Sequence, residues 1–136
     1  MNIEQLLDNK ENRPSWFDYW DLSEVKEHLE QILNNSQATH LDNITEGLGD
    51  FGFDKSNPIP VYGIPEGKVY LDKLEFENGD TLSYSRIGSC RSSNINCIID
   101  AYSIKNQDGE EKAVLYISPY HLKTSNKCPE GFRFIG

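Results

Sequence analysis

Apolar positions recur with two different periods along this chain, and the change falls near residue 50. Before it, Leu22, Val25, Leu29, Ile32 and Leu33 stand at i, i+3, i+7, i+10 and i+11, the spacing of one stripe on an amphipathic helix. This predicts a helix over residues 22–34. Asp21 occupies the N-cap position, Glu24 is placed to close a capping box with it, and the Asn34-Asn35 pair is a natural stop. Glu24, Glu27 and Glu30 then fall on or beside the exposed face. Just upstream, Trp16, Phe17, Tyr19 and Trp20 crowd one short segment behind Pro14. It is expected to form a helical turn that plugs a core, a reading favoured over an interface, where Trp and Tyr are also enriched. A second short helix is expected over residues 42–48.

From residue 58 onward the pattern is one of strands and tight turns. Residues 69–76 and 81–87 flank Glu77-Asn78-Gly79-Asp80, and Asn-Gly between two such runs is a strong hairpin signal because both turn positions need positive φ. A third strand is predicted over 97–104 and a fourth over 113–117, joined through the Asp108-Gly109 turn. The fourth, Ala-Val-Leu-Tyr-Ile, is apolar throughout and is expected to be the most buried. The third sets Asp100 among Ile98, Tyr102 and Ile104 on one face, so that acid needs a hydrogen-bonding partner or an edge position. The elements together predict an α+β fold: acidic N-terminal helices packed on a mainly antiparallel sheet of four or five strands. One domain over 1–136 is expected, with an acidic helical part at 1–50 and a β-rich part at 51–136.

Composition sharpens this picture. The 136 residues are 37% hydrophobic, with 2 Trp, 7 Tyr and 6 Phe to fill a core. That is enough for one domain and argues against wholesale disorder. No apolar run approaches the roughly 18 residues of a membrane span, so no membrane is expected as a partner. Thirteen Lys+Arg against 22 Asp+Glu leave a net charge of −9, which argues against binding nucleic acid. The excess is local. Residues 1–50 hold 11 acids and 3 bases, whereas residues 51–136 hold 11 acids and 10 bases. The N-terminus has neither the basic nor the apolar region of a secretory signal. Cys90, Cys97 and Cys128 cannot all pair within one chain, so reduced thiols and a cytoplasmic location are expected.

Candidate chemistry is sparse. Gly47-Leu48-Gly49-Asp50-Phe51-Gly52 matches G-x-G-x-x-G, but no strand precedes it, and Asp50 would set a carboxylate beside a phosphate. It is taken as a Gly-rich connection. A zinc site from Cys90, Cys97, Cys128 and His121 is disfavoured, because ligands normally come in closer pairs. No cofactor is therefore expected. His28, His40 and His121 neighbour no recognised nucleophile. Tyr120-His121 is the best placed, and a structural role is favoured for it. Arg86, Arg91, Lys123, Lys127 and Arg133 could gather into a phosphate patch, but pairing with Asp100 or the acidic helices is preferred. Arg86 with Asp100 is expected to make a buried bidentate bridge that fixes strand register, a reading favoured over an anion site made by the same Arg86.

Several separated stretches form a recurring order: Asn57-Pro58-Ile59-Pro60-Val61 with Gly63, Tyr70-Leu71-Asp72-Lys73-Leu74, Arg86-Ile87-Gly88-Ser89, Ile99-Asp100-Ala101-Tyr102, Tyr120-His121, and Pro129-Glu130-Gly131-Phe132. This order resembles a family of small bacterial proteins found in polymorphic-toxin and contact-dependent-growth-inhibition neighbourhoods. Ile87 departs from the usual Leu, and Leu122 from the Pro that usually follows Tyr-His. The resemblance covers residues 51–134. It implies an immunity protein, a toxin inhibitor without catalytic residues, whose expected partner is the basic C-terminal domain of a cognate toxin, with a nuclease as the expected kind. On that reading Asp18, Asp21, Glu24, Glu27 and Glu30 form the contact surface, with Trp16, Phe17, Tyr19 or Trp20 as anchors. The alternative expectation is a small enzyme or ligand-binding protein with a pocket near Arg86, Asp100, Tyr120 and His121.

Overall fold

A computed structural model describes residues 1–11 and 13–136. The chain runs α1 (Ile3–Asp8), α2 (Trp16–Tyr19), α3 (Leu22–Leu33), β1 (Ile59–Pro60), α4 (Glu66–Asp72), β2 (Leu74–Phe76), β3 (Ser83–Ser92), β4 (Ile95–Lys105), β5 (Glu111–Ser118) and β6 (Phe132–Phe134). The fold is α+β, as expected. Four strands form a mixed sheet in the order β1-β5-β4-β3, with β1 parallel to β5 and the other pairs antiparallel. β2 and β6 pair separately as a two-stranded antiparallel sheet.

The helix predicted over 22–34 is α3, and Asp21 caps it by accepting the Glu24 N–H at 3.0 Å. The reciprocal half of the box is replaced by a bond from the Ser23 hydroxyl to Asp21, at 2.6 Å. A complete capping box occurs instead on α1. There the Asn2 side chain accepts from the Gln5 N–H and the Gln5 side chain from the Asn2 N–H, both at 2.8 Å. The buried stripe of α3 is Val25, His28, Leu29 and Ile32. Leu22, expected on that stripe, is exposed instead. Trp16 fulfils the plug expectation: it is 2% exposed and its indole N–H donates to the Tyr62 carbonyl at 2.9 Å.

Other expectations need correction. Residues 42–48 form bends and turns, not a helix. Residues 66–72 are helical although strand was predicted from 69. Glu66, Gly67, Tyr70 and Leu71 form one buried helical face, Pro65 is the N-cap and Glu66 lies in the first turn. Gly67 faces Ile117 of β5, at a separation where a Cβ would make ordinary van der Waals contact. The Asn78-Gly79 turn exists, with Gly79 at φ +89° and its N–H bonded to the Phe76 carbonyl at 2.8 Å. The strands it joins nevertheless enter different sheets. β2 is drawn to β6, where the Phe76 and Phe132 rings stack with centroids 5.2 Å apart. The fourth predicted strand is also not the most buried. On β5 burial alternates over residues 114–117, whereas Ala101–Ile104 of β4 is buried at every position. Both strands are interior to the sheet, but β4 is covered on both faces over residues 101–104.

The layers follow from these placements. Phe51, Ile59, Tyr70, Leu71, Tyr102, Ile104, Leu115, Ile117 and Phe132 make the main core between α4 and the sheet. Ile44 covers Ile95 and Ile99 on a second, smaller cluster. The acidic helices do not lie across a sheet face. Leu6, Trp16, Val25, Leu29 and Ile32 close on Tyr62, with Tyr120 and Leu122 alongside, and these three follow the parallel strands β1 and β5. The helical third therefore caps one end of the sheet.

Candidate functional site

Asp18, Asp21, Glu24, Glu27 and Glu30 are all exposed, and none forms an ion pair among the described residues. Their charges act on one another. Hydrogen bonding to Asp21, repulsion from it and, more weakly, repulsion from Glu27 raise the Glu24 carboxyl above its ordinary pKa. Asp21 is lowered by the Ser23 hydroxyl and the Glu24 N–H. The expected aromatic anchors divide. Trp16 is buried, Phe17 and Trp20 are half-buried in the same cluster, and Tyr19 is 84% exposed. Leu22, at 59%, joins Tyr19 as an exposed apolar side chain amid the acids. Sequence reasoning missed Leu22 because its spacing placed it on the buried stripe.

The second grouping, Arg86, Asp100, Tyr120 and His121, comes apart. The first three line an open groove of about 550 Å³ together with Ile64, Pro65, Lys68, Ile98, Tyr102 and Pro119. His121 is fully buried, on a different wall of the molecule, and borders a smaller pocket with Gln37, Ile44 and Asn94. Its Nδ1 accepts the Thr39 N–H at 3.1 Å, which leaves the proton on Nε2 to be donated to the Ser118 hydroxyl at 2.8 Å. An imidazole in that tautomer cannot take the serine proton, so the Ser118–His121 pair is structural. Burial lowers the His121 pKa to about 4. His28 is used alike: its Nε2 accepts the Ile64 N–H at 2.9 Å, and burial lowers its pKa.

Arg86 and Asp100 do meet, at 2.9 Å between Nη2 and Oδ1. Nε approaches the same oxygen at 3.3 Å, so the contact is a fork on one oxygen and not the buried bidentate bridge expected. Arg86 is 48% exposed. Lys123 pairs with Asp42 at 2.9 Å and Arg133 with Glu75 at 2.7 Å, while Lys127 lies over the Phe51 ring. Arg86, Lys123, Lys127 and Arg133 are thus dispersed among separate internal partners and form no common patch.

The Gly-rich segment is explained by close approach. A Cβ on Gly47 would overlap the Asn57 amide, and one on Gly49 the Asp54 carboxylate. Asn57 Nδ2 donates to the Gly49 carbonyl at 2.9 Å, stapling the loop. The four candidate zinc ligands are not brought together: Cys90 and Cys97 pack beside Ile95 and Ile99, and Cys128 against the main core. Burial raises all three thiols above their ordinary pKa. Among the described residues no helix is long and apolar enough to cross a membrane.

Comparison with protein-family models, with curated proteins and with solved structures returns no match.

Proposed function

We propose that this chain is a cytoplasmic immunity protein that binds a basic toxin domain and occludes its active site, making and breaking no bonds itself. The supporting observation is the α2–α3 surface. Five exposed carboxylates, none of them in an ion pair among the described residues, share residues 18–30 with an exposed Tyr19 and Leu22. An unneutralised anionic field steers a cationic partner toward it, and an aromatic residue within that field supplies a desolvated anchor on contact. A nuclease domain is a suitable partner, because any groove that binds phosphates is cationic.

The test is co-expression with the basic domain that ends the product of the neighbouring upstream gene. Wild-type chain is expected to restore growth. Replacing Glu24, Glu27 and Glu30 by Lys is expected to slow association at least about tenfold and abolish protection, while the purified variant keeps its circular dichroism. Protection undiminished by the triple reversal, or no protection by the wild type, overturns the reading.

A further inference from the structure

We infer that the groove between α4 and the β3–β4 hairpin is a binding site for a small organic anion with an apolar body. The core face of β4 carries Ile104, Tyr102, Asp100 and Ile98 in succession, and its cover ends partway along. Ile104 and Tyr102 are buried in the main core, whereas Ile98, on the same face, is 42% exposed. The uncovered stretch is walled by Ile64, Pro65, Pro119 and Tyr120. About 550 Å³ is a volume typical of small-molecule sites, and apolar walls with a few convergent polar groups are their usual composition.

Three donors converge on it. Tyr102 is 4% exposed and lines the groove, yet its hydroxyl bonds to no protein group among the described residues. Tyr70 and Tyr84, by contrast, spend theirs on the Lys127 carbonyl and the Asp72 carboxylate, both at 2.5 Å. The Tyr102 hydroxyl is not itself buried: it reaches solvent at the groove and is free to donate there. Arg86 sits directly opposite Tyr102 in the strand register, and its guanidinium is held in place by Asp100 and by the Ser89 hydroxyl at 2.6 Å. Arg86 therefore presents its remaining N–H groups preorganised. Lys68, exposed on α4, forms no ion pair among the described residues. Two cations against one carboxylate select an anion, and a guanidinium already fixed by a neighbour suits a carboxylate head. The apolar walls accept an aryl or alkyl body.

The probe is 4-phenylbutyrate, followed by amide chemical shifts, with 4-phenylbutyramide as its neutral counterpart. Saturable shifts confined to Lys68, Arg86, Ile98, Asp100, Tyr102 and Tyr120 are expected, with the amide weaker by about tenfold or more, as befits a charged hydrogen bond lost. Lys68→Gln, an exposed change that leaves the core alone, is expected to weaken the acid several-fold and the amide hardly at all. Ile98→Asp is expected to abolish both. Equal binding of acid and amide overturns the anion assignment. Shifts centred elsewhere, or none up to about 10 mM acid, where even millimolar affinity would show, overturn the site.

Discussion

His28 and His121 each use a ring nitrogen to accept a backbone N–H, a role only the neutral imidazole can fill. Protonation breaks that bond and leaves a charge in the core. The folded-state pKa of His121 is about 4 against an ordinary 6.5. Its contribution is therefore fully present above pH 6.5, declines as pH falls from 6.5 toward 4, and is gone below. The full amount is about 3 kcal/mol. Glu66, raised by burial, opposes this trend, so the effect is best read as a difference between proteins. Urea midpoints between pH 7 and 4.5 should fall more steeply for wild type than for His121→Gln, which starts less stable at pH 7. Parallel curves would show that His121 does not carry the linkage. Nothing in the sequence around Tyr120-His121 distinguished an acceptor from a general base. The deciding groups, Thr39 and Ser118, lie on opposite sides of the ring, and one of them is 82 residues away in sequence.

At the scale of elements, the junction between the α2 plug and the turn after β1 depends on a missing side chain. Gly63 has φ +96°, and a Cβ there would lie 2.7 Å from the Trp16 indole nitrogen. Gly109 has a similar φ, +80°, but nothing lies within 4 Å of where its Cβ would go. Gly109→Ala should cost only the backbone strain, about 1–2 kcal/mol. Gly63→Ala adds displacement of Trp16 and its bond to Tyr62, so about 3 kcal/mol or more is expected, with a red-shifted tryptophan emission. Equal losses of thermal stability in the two variants would refute this account. α3 was legible in the sequence because its period persists over three turns and a capping Asp precedes it. α4 was not, because Val69 and Tyr70 carry strand propensity, while the helix buries Glu66, Gly67, Tyr70 and Leu71 on one face. The Asn-Gly turn was found correctly, but local turn chemistry says nothing about which sheet receives the next strand. The acidic surface was readable from charge alone. The groove was legible in part: the sequence groups Arg86, Asp100 and Tyr120 at one pocket, but Lys68 escapes that grouping because it lies on α4, whose residues read as strand from Val69.

At the scale of the whole molecule, the uneven charge suggests a separable acidic appendage, but the hydrogen bonds argue otherwise. The Asn35 side chain donates to the Tyr120 carbonyl at 2.7 Å, Leu122 N–H to the Thr39 carbonyl at 3.0 Å, and the Ser125 hydroxyl to the Asp42 carbonyl at 2.5 Å. With the Trp16–Tyr62 and His28–Ile64 bonds, these tie residues 16–42 to the segments that follow β1 and β5. Removing the first 50 residues would expose Tyr62 and exchange these bonds for bonds to water, each at a net cost of about 0.5–1.5 kcal/mol, on top of the lost apolar burial. The helical third and the sheet should therefore unfold as one cooperative unit. Both tryptophans, Trp16 and Trp20, belong to the helical third, whereas the strands lie beyond residue 58. Tryptophan fluorescence and the β-sheet signal of far-ultraviolet circular dichroism thus report on different parts of the chain. In urea the two transitions should superimpose, with one midpoint and an m-value of about 1–3 kcal/mol/M. A fluorescence transition at distinctly lower urea would mean that the acidic end detaches while the sheet persists. The surface proposed to meet the toxin would then be an independently folding arm and not a face held rigid by the core.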